Sequence, residues 1–207
     1  MMKIIRNSVK SNIITFIILF LFSCNNNSID NISYYKEKKT DGNIINYYAV
    51  NMIKNKNITK VITLRYSDYK EAITDTLTEF YRIKNEEVYK LSNQNDKKGN
   101  LYLTTKSSNC VTYNYSDSIL NYLLVSRHCF IGTKICNTSI GAIETNVFIK
   151  KVGQNDDIIS KVYYDINFKL IKEEYLEGYI TPYYIEITDS IPDNFRFLIN
   201  SRNIVSN

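Results

Sequence analysis

The feature that most constrains this chain is a repeated alternation of apolar and polar residues, clearest where Val162, Tyr164, Ile166, Phe168 and Leu170 alternate with Lys161, Tyr163, Asp165, Asn167 and Lys169. A period of two places every second side chain on the same face of a strand, so one face is expected to be buried and the other wet. Val111, Tyr113 and Tyr115 against Thr112 and Asn114 repeat the pattern. From Ile45 onward, short runs rich in Val, Ile, Thr, Tyr and Phe recur between clusters of Asn, Asp, Gly and Lys. That rhythm predicts strands at 45–53, 60–66, 73–82, 86–92, 101–106, 110–115, 121–131, 134–138, 143–152, 158–171 (divisible into a hairpin) and 182–188. The connections are short, so sequence neighbours should pair antiparallel. The expected fold is mostly β, an antiparallel meander forming a curved sheet, partly closed barrel or sandwich, with at most one or two short helices. The helical candidates are the Asp117-Ser118 cap before Ile119–Leu124 and a single turn over Ser67–Ala72.

The N-terminus reads differently. Lys3, Arg6 and Lys10 precede Ile13–Phe22, ten residues that are apolar except for Thr15. A basic start followed by a short apolar run is the pattern of a secretory signal, and the run is short of the ~20 apolar residues a membrane-spanning helix needs. Leu21-Phe22-Ser23-Cys24 follows, with Leu three places before a cysteine and a small residue just before it. This box resembles that of bacterial lipoproteins, with Phe22 departing from the smaller residue usual there. The resemblance implies that residues 1–23 are removed and that Cys24 is the lipid attachment site, acylated with fatty-acid chains such as palmitate. It further implies anchorage in the cell envelope through that lipid. With Asn25 rather than Asp after the cysteine, the family pattern implies the outer membrane if the host is Gram-negative. Polar residues dominate 24–43, which reads as a flexible tether, ahead of a single β-rich domain over 44–207.

Removing the first 23 residues leaves 23 basic against 21 acidic side chains. Lys and Glu are interspersed, as in Lys172-Glu173-Glu174, with no basic patch, and this argues against a nucleic-acid partner. Phosphate-cradling, nucleophile-elbow and zincin motifs are missing, and His128 is the one histidine. The residues point to no cofactor, no metal and no catalytic set. A zinc site from His128, Cys129, Cys136 and Cys110 is countable, but an exported compartment favours disulfides over thiolates. His128 and Cys129, adjacent in a strand, would point to opposite faces and not act on one another, and His128 reads as a surface or partly satisfied residue.

The cysteines give a sharper expectation. If Gly132-Thr133 forms a two-residue type II′ turn, Cys129 faces Cys136 and the two form a disulfide across the hairpin. The rival is a longer bridge from Cys110, which would close a larger loop. Other candidates are the paired carboxylates Glu86-Glu87, Asp156-Asp157 and Glu173-Glu174, and a Tyr179, Tyr183, Tyr184 surface around Pro182 suited to a sugar or peptide. Asp75-Thr76-Leu77, Asp117-Ser118-Ile119 and Asp189-Ser190-Ile191 are each similar to the short O-glycosylation sequence of some exported proteins. Three roles follow. The leading one is a lipid-anchored binding or structural module whose partner is an envelope protein or glycan. The others are an exported hydrolase working through cleft carboxylates, and a lipid or lipoprotein carrier with an apolar cavity.

Overall fold

The computed structural model describes residues 32–117, 122–153, 157–175 and 183–201. Twelve strands follow in order: β1 (Ile32–Lys39), β2 (Ile44–Asn55), β3 (Ile58–Ser67), β4 (Ala72–Lys84), β5 (Glu87–Leu91), β6 (Asn100–Thr104), β7 (Val111–Asp117), β8 (Tyr122–Thr138), β9 (Gly141–Val152), β10 (Asp157–Tyr164), β11 (Leu170–Tyr175) and β12 (Tyr183–Thr188). One helix, α1 (Asp193–Ser201), follows them among the described residues. All strands lie in one antiparallel sheet ordered β6-β5-β4-β3-β2-β1-β12-β11-β10-β9-β8-β7. The sheet curls into a nearly closed barrel, and its seam lies where β6 and β7 come together. The expected mostly-β antiparallel meander is the fold found.

Tight turns explain the meander. Asn85 and Glu86, both at positive φ, link β4 to β5 in the geometry whose twist matches a hairpin. Asp165 closes the β10–β11 turn by accepting the backbone N–H of Asn167 and of Lys169, each at 2.8 Å. A hairpin therefore occupies this region, but its second arm runs on past 171 to Tyr175. Its alternation stops at Tyr164, leaving Ile166 exposed, and Tyr163 on the face expected to be wet is buried beneath neighbouring side chains.

Three expectations are corrected. Ile32–Lys39, read as part of the tether, is a central strand paired with β2 on one side and β12 on the other. Ser33, Tyr35 and Glu37 on its inner face are buried, so its period-two pattern contributes core despite the charged residues around it. Ser67–Ala72 is a β-turn connection rather than a helical turn. Gly132 does not turn a hairpin. It sits at a bulge in the single long strand β8, where register shifts between Phe130 and Gly132 and its φ of 124° is accommodated. Cys129 and Cys136 are thus separated along one strand by about 23 Å at ~3.3 Å per residue, and the expected Cys129–Cys136 bridge does not form. Cys129 is bonded instead to Cys110 across a Cα separation of 4.0 Å, and Cys136 is a free, buried thiol. Register accounts for the pairing. Val111 opposes His128, so Cys110 falls directly opposite Cys129 one step further on. The suggested helix after Asp117 falls partly on residues 118–121, outside the described residues.

The seam between β6 and β7 is closed by side chains. Nδ1 of His128 on β8 lies 3.1 Å from the Tyr102 carbonyl on β6, an atom that only accepts, so this nitrogen carries the proton. The Tyr102 ring meets His128 and Tyr113 edge-on, and Lys90 Nζ lies 5.7 Å and 5.5 Å from the Tyr102 and Tyr113 ring centres. His128 is therefore a buried closure residue rather than a surface one. Burial, with Lys150 and Lys90 adding to it against the Tyr102 hydrogen bond, lowers its pKa from 6.5 to about 4. A base whose folded pKa is depressed stabilises the fold fully above the unfolded value. That contribution is lost as pH falls from 6.5 toward 4. Urea unfolding should show about 3 kcal/mol less stability from this residue at pH 4 than at pH 7. His128→Asn should flatten the pH slope in that window, and an unchanged slope would count against the closure role.

Candidate ligand cavity

Register sorts the side chains of the barrel wall into two faces. Tyr48, Val50 and Met52 of β2 stand opposite Arg65, Thr63 and Val61 of β3, while Ala49 and Tyr47 share the other face with Leu64 and Tyr66. The second face is the outside, where α1 packs Phe195 and Ile199 against Ala49, Leu64 and Tyr66. The first faces inward and encloses a cavity of about 290 Å³. Its wall is mainly apolar, with Val50, Met52, Val61, Ile83, Val88, Leu103, Leu170 and Ile185, and it carries the phenols of Tyr35, Tyr48, Tyr81, Tyr102 and Tyr164. One carboxylate, Glu79, reaches the wall, and Lys90 Nζ donates to it at 2.6 Å.

The phenols are held neutral. Burial pushes Tyr35, Tyr48, Tyr81 and Tyr164 well above the usual phenol range, and for Tyr48 the adjoining Glu37 adds to the effect. Tyr48 gives its one proton to Glu37 and is left as an acceptor toward a ligand in the apolar chamber. Tyr35 already donates to the Leu170 carbonyl at 2.8 Å.

A polar layer lies at one end of the cavity. Moving one inward position along β1, β2, β3 and β12 from the cavity wall gives Glu37, Asn46, Arg65 and Tyr183. Glu37 is 7% exposed, and its Oε2 accepts Asn46 Nδ2 at 2.7 Å and Tyr48 Oη at 2.5 Å, with Arg65 Nη2 at 4.0 Å. Ile185 of β12 stands between Glu37 of β1 and Glu173 of β11. Glu173 Oε1 accepts Ser160 Oγ at 2.8 Å, and the Tyr175 and Tyr183 rings stack beside it at 4.1 Å.

The sequence candidates distribute unevenly around this chamber. Glu173 faces inward, whereas Glu174 faces outward and accepts from Lys172 at 2.7 Å and Tyr163 at 2.9 Å. Glu86 and Glu87 sit at the β4–β5 turn, with Glu87 paired to Lys106 at 3.1 Å. Asp156 lies outside the described residues, as do Tyr179 and Pro182. Tyr183 and Tyr184 point to opposite faces, Tyr184 lying under Lys172 Nζ at 5.3 Å, so they line no common groove. Cys110 and Cys129 are spent on each other and cannot join His128 and Cys136 around zinc. Thr76 is exposed on β4 and Ser190 is exposed before α1, while Ser118 and Cys24 lie outside the described residues. Sequence reading missed Glu37, Glu79 and Tyr81. The one signal for Glu37 was the β-forming Ile32-Ser33-Tyr34-Tyr35 run just before it.

No protein-family model matches the chain, and no curated protein does. Solved structures do resemble it in fold. A protein from Parabacteroides distasonis, provisionally described as a lipoprotein, aligns at 13% identity with a TM-score of 0.51, over 75% of this chain and 92% of that one. A provisionally described exported protein with YmcC-like fold from Bacteroides fragilis aligns at 10% identity and a TM-score of 0.45, over 78% and 95%. The hypothetical lipoprotein YmcC from Escherichia coli aligns at 16% identity and a TM-score of 0.36, over 84% and 95%. At these identities, what the chain shares with the first of them is its fold.

Proposed function

We propose that this chain is a lipid-anchored protein of the cell envelope whose barrel is a binding module for a small apolar or amphiphilic molecule. The observation that carries the reading is the 290 Å³ apolar chamber with convergent phenols, the usual make-up of a small-molecule site. At ~30 Å³ per heavy atom, the share of a water in the liquid, it accommodates roughly ten heavy atoms. The Cys110–Cys129 bridge supports export to an oxidising compartment. The lipoprotein description of the Parabacteroides protein of similar fold supports anchorage through Cys24.

Two measurements test these parts separately. The purified protein should enhance the fluorescence of the neutral probe 1-naphthylamine, whose size suits the chamber, and Val61→Trp, which fills the chamber, should weaken that binding about tenfold or more. Equal binding by Val61→Trp would place the probe elsewhere and overturn the cavity reading. Metabolic labelling with a fatty acid should mark the wild type and leave Cys24→Ala unmarked, and a labelled variant would overturn the anchor.

A further inference from the structure

We propose that the ligand of this cavity is a single-chain amphiphile whose head group donates hydrogen bonds and carries no negative charge, an amine or alcohol rather than a fatty acid. The inference rests on the binding function proposed above and concerns which head group it selects. The cavity accepts the chain, and the layer beside it decides the head. Tyr48 and Ile185 belong to both regions. They line the chamber, Tyr48 donates to Glu37, and Ile185 separates Glu37 from Glu173. A chain in the chamber thus ends beside two carboxylates.

The charges in reach are unequal. Among the described residues, Glu37 and Glu173 face inward against one guanidinium, that of Arg65, whose Nη2 lies 4.0 Å from Glu37 and whose side chain is 44% exposed. Deeper in, Glu79 is matched by Lys90. The layer therefore holds an excess of negative charge, and at the buried Glu37 Coulomb interactions are stronger than in bulk. A carboxylate or phosphate head would add like charge beside Glu37 and Glu173. An ammonium or hydroxyl would donate to them. Among the described residues, the hydrogen bonds and ion pair recorded for Glu37 all fall on Oε2, so Oε1 is the oxygen placed to receive a ligand donor. The stacked Tyr175 and Tyr183 rings beside Glu173 add a face that attracts a cation.

The test is isothermal titration of the purified protein at pH 7.4 with decylamine, decanol and decanoate. These share a carbon count matched to the chamber and differ chiefly in the head, the tail of decanoate being one methylene shorter, a difference worth about fourfold that the expected ratio exceeds. Decylamine is expected to bind about tenfold or more tightly than decanoate, with decanol between them. Glu37→Gln keeps an acceptor for Asn46 and Tyr48 while removing the charge, and Glu173→Gln does the same toward Ser160. Each should narrow the amine-to-carboxylate ratio by about threefold or more. Decanoate binding as tightly as decylamine, or a ratio that both variants leave unchanged, would overturn the head-group inference while leaving the cavity function standing. Failure of all three compounds to bind would overturn both.

Discussion

Phe195→Ala will lower the unfolding free energy by about 4 kcal/mol, and Phe197→Ala, two residues along the same helix, will change it by less than about 0.5 kcal/mol. Phe195 is fully buried and stacks on Tyr66 with ring centres 4.8 Å apart, whereas Phe197 is 71% exposed. The difference comes from the helical period. Phe195, Leu198 and Ile199 are spaced i, i+3, i+4 and meet the outer wall, where Ala49 leaves room beside Leu64 and Tyr66. Arg196 N–H donates to the Pro192 carbonyl at 3.1 Å as the first helical bond, and Asp193 in the first turn favours the positive end of the helix. Truncating Phe195 leaves a cavity between helix and barrel that the rigid β2–β3 wall cannot fill. Urea titrations of both variants check the contrast. Similar small changes for the two would show that α1 contributes little to the fold.

Breaking the Cys110–Cys129 bridge has the next largest expected effect. The bridge spans a sequence separation of 19, and closing a loop of that size restricts the unfolded chain by about 3 kcal/mol on chain-entropy grounds. Cys110→Ser should therefore lower the midpoint of thermal unfolding by about 10 °C. Because the bond fixes the start of β7 to β8 next to His128, amide exchange in 105–113 should accelerate more than in the β2–β3 wall. Non-reducing peptide mapping of the wild type should give one linked pair containing Cys110 and Cys129. Cys136 should be slow to react with thiol reagents in the folded protein, since it is buried and burial raises its thiol pKa. A fragment linking Cys129 to Cys136 would contradict the structure at its seam.

These two regions also show what the sequence made legible. Fold class was readable because the period-two runs are long and the turns short, and ten of the strands overlap the expected runs, with 121–131 and 134–138 merging into β8, while β11 shares only its first two residues with the run over 158–171. Two features escaped for physical reasons. In β1 the inward residues are Ser33, Tyr35 and Glu37, so its buried face is polar enough to resemble a tether, and its burial depends on Asn46 and Tyr48 of the neighbouring strand. In β8, Gly132 offers the same freedom of φ to a turn and to a bulge, and pairing with β9 decides for the bulge. The disulfide followed that choice, since which cysteines face one another is a matter of register. The inward positions of Tyr35, Tyr48, Tyr81 and Tyr164 were equally hidden. Alternation says which residues share a face, while only barrel closure says that the face surrounds a chamber.

The central claim is that this chamber holds a ligand, and methyl-resolved NMR during titration with 1-naphthylamine tests it most directly. The account predicts shifts at the methyls of Val50, Met52, Val61, Ile83, Val88, Leu103 and Ile185, which line the cavity. Shifts confined to the exposed Ile131, Ile135 and Ile166, with the cavity methyls unmoved, would contradict it.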